Sequence, residues 1–153
     1  MKRKKRLFSC ALLILGIVMM IPHTTKGYEN KQEDYSEERS GVPDVANSIT
    51  FGADYHLTVV ANSDKIEDKE EFVRTVVHMC QNNSFSSVKF STDIRGYPTG
   101  LDISVFLNRK DVEERKEPVC KIEFKTDDFS KDYNIKDDVS KYHLYLNGKE
   151  ITF

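Results

Sequence analysis

The sequence predicts an α+β domain, one helix packed on an antiparallel sheet of about five or six strands, preceded by a signal or anchor segment and a flexible acidic linker. Three observations carry this expectation. Residues 67–82 repeat their apolar side chains at helical spacing, and residues 101–108 and 118–125 alternate apolar with polar at period 2. Near the C-terminus, Asn147-Gly148 is the preferred pair for a two-residue hairpin turn. The 153 residues leave room for one core once the leader and linker are set aside.

The chain opens on a cluster of Lys2, Arg3, Lys4, Lys5 and Arg6, followed at residues 7–21 by an apolar run interrupted only by Ser9, Cys10 and Gly16. Positive charge resists crossing a membrane while the apolar run partitions into it, so everything downstream is expected to be exported. A helix of that length reaches about 22 Å, short of the roughly 30 Å hydrocarbon core. The shortfall favours a cleaved signal peptide, with Thr25 and Gly27 as the small residues before a cut at Gly27-Tyr28. The alternative is an uncleaved single-pass anchor, lengthened by residues 22–25 and by snorkelling Lys and Arg at its ends. Either route makes the product secreted or membrane-anchored, with its C-terminal domain outside the cytoplasm. Leu7-Phe8-Ser9-Cys10 imitates a lipobox, but the apolar run follows Cys10 instead of preceding it, so Cys10 reads as one more leader residue.

Residues 28–48 carry six acids, two bases and only Val42, Val45 and Ala46 as aliphatic side chains. Such a composition buries too little surface to offset its ordering entropy, and the segment is expected to be a disordered acidic linker. Six of the 23 basic residues lie in the first 27 positions, leaving 17 against 25 acids, a net charge of −8 beyond Gly27. That field repels phosphate backbones and argues against a nucleic-acid partner.

The domain is expected over residues 49–153. Residues 49–61 are rich in β-branched and aromatic side chains and read as one strand kinked at Gly52. In the helix, Phe72, Val73, Val76, Val77 and Cys80 form one apolar stripe, and Asp68, Glu70 and Glu71 suit the positive end of its dipole. Its polar stop, Asn82-Asn83-Ser84, is also a glycosylation sequon, meaningful only in a eukaryotic secretory pathway. Residues 85–94 read as a second strand with Val88, Phe90, Thr92 and Ile94 on one face. In the third, Leu101, Ile103, Val105 and Leu107 oppose Asp102, Ser104 and Phe106; in the fourth, Cys120, Ile122 and Phe124 oppose Lys121, Glu123 and Lys125. A turn at Asn147-Gly148 pairs Leu146 with Lys149, Leu144 with Ile151 and Tyr142 with Phe153 on one face, and Tyr145 with Glu150 and His143 with Thr152 on the other. Residues 127–141 are charged and aperiodic and read as a loop with room for a helical turn. The layout is similar to the cystatin-type grip, an antiparallel sheet wrapped on one helix. The likeness is architectural only, because the inhibitory glycine and glutamine motifs of that family are absent.

Cys80 and Cys120 both point inward, so the sequence leaves two readings open: a disulfide closing a loop of about 40 residues, or two free buried thiols. Neither makes a nucleophile. His78 lies about 200° round the helix from Cys80, and His143 sits on the sheet face opposite Cys120. His56, His78 and His143 show no close ligand spacing, and Asp127, Asp128, Asp132, Asp137 and Asp138 lack the calcium-loop pattern. No catalytic residue, metal or cofactor is therefore assigned. Candidate partner contacts are the turn that presents Arg95, Tyr97 and Pro98, and the large side chains Phe106, His143 and Tyr145 on the polar face. The expectation is a non-catalytic binding module for an unknown protein or cell-surface ligand, contacting the membrane through its first residues if these are not cleaved. The alternatives are a secreted enzyme inhibitor or a small hydrolase.

Overall fold

The strand expected over residues 49–61 is two strands. In the computed structural model, which describes residues 40–128 and 131–153, the chain enters the sheet at β1 (Asp44–Phe51), turns at Gly52-Ala53 and returns as β2 (Asp54–Val60). Gly52 takes a φ of +63° and Ala53 a negative one, the pattern of a type II′ turn with glycine first. The element therefore begins inside the segment expected to be linker: Val45 pairs with Val59 and is 2% exposed. The leader and the linker through residue 39 lie outside the described residues.

Helix α1 (Lys69–Asn82) starts at an Asp68 cap whose carboxylate accepts the Glu71 N–H, and it stops at Asn83 in the left-handed region. It carries the chain back across the sheet, so β3 (Gly100–Phe106) runs parallel to β2, with His56 beside Asp102 and Leu57 beside Ile103. Parallel neighbours require a long crossover, and residues 61–99 supply it. This corrects the wholly antiparallel sheet and departs from the grip to which the layout was likened. From β3 onward the expected meander is present: β4 (Cys120–Lys125), β5 (His143–Leu146) and β6 (Lys149–Ile151) follow in antiparallel order. The architecture is α+β, a six-stranded and mostly antiparallel sheet with a few helices.

Residues 85–94 do not form a strand. Phe85 and Phe90 are both buried, and an odd separation of five would send them to opposite faces of a sheet. Side chains instead take the backbone groups a ladder would use. The Asp44 carboxylate accepts the N–H groups of Ser86 and Ser87, each at 3.1 Å, and Asn83 accepts from Phe90 N at 2.8 Å while donating to Phe90 O at 2.9 Å. A short helix, α2 (Thr92–Arg95), ends the segment with Ile94 exposed. Another, α3 (Arg109–Glu113), follows β3.

One face of the sheet is the core face. Leu57, Val59, Ile103, Val105, Ile122, Phe124 and Leu144 join the α1 residues Val73, Val76, Val77 and Cys80 in a single buried cluster. The charged segment before β5 contributes as well: Ile135 is fully buried, its N–H donates to Pro98 O at 3.0 Å, and its carbonyl accepts from Gln81 Nε2 at 2.8 Å. The helical turn allowed there is a 3-10 turn at Val139–Lys141.

Candidate functional site on the outer face of the sheet

The face away from α1 stays accessible. Strand registers set Ile49, His56, Asp102, Glu123, Tyr145 and Glu150 in one transverse row across all six strands. Period-2 alternation explains why every member is polar or aromatic except Ile49 on the edge strand. Charges along the row are paired. His56 Nδ1 lies 3.4 Å from the Asp102 carboxylate, and Glu123 pairs with Lys125, whose ammonium sits 4.8 Å from the centre of the Tyr145 ring. Next to this row, His143 Nδ1 meets Glu150 at 2.7 Å, and its other nitrogen faces Asp127 at 4.0 Å. The hydrogen bond that Glu150 accepts from the ring, reinforced by the charges of Glu150 and Asp127, raises the His143 pKa above the ordinary 6.5.

Of the residues chosen from sequence, His143 and Tyr145 belong to this surface. Both are partly exposed residues on β5. Phe106 lies four pairing positions along β3 from Asp102, about 13 Å away at strand rise, so it does not join them in one patch. The turn at Arg95, Tyr97 and Pro98 is not a free tip. Pro98 is buried, and Tyr97 is packed against the core cluster. The Tyr97 hydroxyl accepts from Lys136 Nζ at 2.8 Å, and the same ammonium lies 4.5 Å from its ring centre. Tyr142 donates to Thr99 O at 2.8 Å, so the turn and residues 134–142 form one seam. Burial, with the charges of Asp138 and Asp54, pushes the Tyr142 phenol up to about 12. Arg95 alone in that group is exposed.

Cys80 and Cys120 lie in the same core cluster as free, buried thiols. Burial pushes the Cys80 thiol far up, and burial also raises Cys120 against the opposing charge of Lys69. Neither is poised to ionise at neutral pH. Among the described residues no group of three or more His, Cys, Asp or Glu side chains is placed to hold a metal ion. An open cleft of about 730 Å³ runs beside β6, lined by Glu70, Ser140, Tyr142, His143, Lys149 and Glu150 among others.

Sequence reasoning missed His56 and Asp102 as surface neighbours. The alternation places His56 and Asp102 on the polar face, but only the parallel register brings them side by side. Comparison of the chain with protein-family models, with characterised proteins and with solved structures finds no match.

Proposed function

We propose that the chain is an exported, non-catalytic interaction module that meets a protein or cell-surface ligand through the outer face of its sheet. The observation that carries this reading is the uncovered transverse row from Ile49 to Glu150, where aromatic and paired charged side chains stand together on a backbone held rigid by the ladder. The buried thiols with raised pKa values support a role without a cysteine nucleophile. Export rests on the basic cluster and apolar run at the start of the sequence. No helix among the described residues is long and apolar enough to cross a membrane.

The test uses the full chain expressed in its host, with surface crosslinking and recovery of partners by wild type, Tyr145→Ser and Glu123→Lys. Both substitutions are expected to reduce recovery of a specific partner at least tenfold while the fold is kept. Undiminished recovery by both variants overturns the proposed surface. A product found only in the cytosol and beginning at Met1 overturns export.

A further inference from the structure

The two edges of the sheet are protected differently. At β6 the edge is three residues long, two of them charged, and the chain beyond it is held down: Arg74 Nε donates to Thr152 O at 3.0 Å, and the Phe153 ring packs on Phe124 with 4.8 Å between centres. At β1 the first half of the edge is covered by the Ser86-Ser87 backbone, with Ser87 Oγ donating to Val45 O at 2.7 Å. From Asn47 to Phe51 nothing equivalent appears among the described residues. Those five residues carry no charge and no proline, and Ile49 and Phe51 are 61% and 79% exposed on the outer face. Natural sheets blunt open edges with charge, proline or a cover, and this stretch has none of them.

We propose that this edge is a self-association site, in which β1 pairs antiparallel with β1 of a second copy about a two-fold axis at Thr50. The register follows from the backbone. Phe51 and Asp54 close a two-residue turn and so form a hydrogen-bonded pair; pair types alternate along a ladder, so Thr50 and Ser48 direct their N–H and C=O groups away from β2. The Ser48 N–H is satisfied by its neighbour Asn47 Oδ1 at 2.9 Å instead of by the ladder, in agreement with that direction. An axis at Thr50 lets the two Thr50 residues exchange both backbone bonds. It also sets Ile49 of each copy opposite Phe51 of the other, in the non-bonded pairs where side chains approach most closely.

A second copy suits this edge better than an unrelated strand for two reasons. The pattern is self-complementary, each apolar side chain finding the other type across the axis. The body is acidic overall, yet the paired stretch itself carries no charge, so no like charges are set opposite one another across the axis. Three paired residues on each strand, Ile49, Thr50 and Phe51, bury less than the roughly 1,200 Å² of a standard stable interface, so the dimer is weak and concentration-dependent.

Site-directed crosslinking of the full chain in a Cys10→Ser background tests register as well as contact. Under mild oxidation, a mixture of Ile49→Cys and Phe51→Cys copies is expected to form the mixed disulfide at least tenfold faster than either variant alone, because opposed non-bonded positions lie within disulfide range and 49 to 49 or 51 to 51 are diagonal. Thr50→Pro removes only an outward N–H and is expected to abolish that excess while leaving the circular dichroism spectrum unchanged. Equal rates in the mixture and the single variants, or no crosslink in any, overturn the proposal. So does an excess that survives Thr50→Pro in a folded chain.

Discussion

The sheet begins and ends in a hairpin closed by two residues, and the two hairpins differ in what holds them. The C-terminal one turns at Asn147-Gly148 with φ values of +52° and +77°, and its inward residue Leu144 is 1% exposed in the core. The N-terminal one turns at Gly52-Ala53, and the half of β1 next to the turn is exposed throughout. Closing a ladder takes only the turn and its backbone bonds, whereas fixing a hairpin against the protein takes buried side chains. The same contrast separates a finished edge from one still available to pair.

The largest effect expected from this contrast is in stability. Leu144→Ala removes a fully buried side chain and is expected to cost about 2 to 5 kcal/mol. Ile49→Ala, at the corresponding distance from its own turn, is expected to stay within about 0.5 kcal/mol. Urea denaturation of dilute protein measures both. Comparable losses at the two sites would break the comparison, since they would mean that β1 is anchored through contacts as strong as those of β5.

Turn chemistry supplies a smaller effect that should be alike at both ends. A side chain added at Gly52 or Gly148 meets no atom within 4 Å, so its whole cost is the positive φ. Gly52→Ala and Gly148→Ala are each expected to lose about 1 to 2 kcal/mol, and asparagine at either position much less. A loss at Gly148 alone would mean that the first turn is loose enough to change conformation, which sharpens the difference between the hairpins.

These two turns also show how far the sequence could be read. Asn147-Gly148 announces itself because two adjacent residues that tolerate positive φ leave few alternatives, and the pairs Leu146–Lys149, Tyr145–Glu150 and Leu144–Ile151 all follow from it. Gly52-Ala53 does not, since a type II′ turn asks for one special residue only, and a lone glycine within a β-rich run equally fits a kink. The alternation of β3 and β4 was legible because each has one buried and one wet face. The parallel pairing of β2 with β3 was not, because no local pattern records which strand a crossover returns to. Phe85 and Phe90 misled for a related reason: Asp44, distant in sequence, holds the loop that buries them. At the candidate site, face could be inferred for His143 and Tyr145, but Tyr97 was exposed only on paper, since its partner Lys136 lies in a segment without periodicity.

The smallest expected effect concerns the charges on the better-anchored hairpin. His143 is bonded to Glu150 across β5 and β6, faces Asp127, and has Lys125 as its neighbour on β4. The carboxylates favour the charged imidazolium, the Glu150 hydrogen bond most of all, and outweigh the desolvation that opposes it. Because the folded pKa is raised, the favourable contribution is complete below the unfolded value of 6.5 and fades as pH rises through the folded pKa. An NMR titration of the His143 ring is therefore expected to give a midpoint above 6.5, and Glu150→Gln to bring it down. Both side chains are largely in solvent, so added salt should also lower the midpoint in the wild type and do less in Glu150→Gln. A wild-type midpoint at or below 6.5 would show that desolvation dominates instead, and that the two strands are joined there by backbone alone.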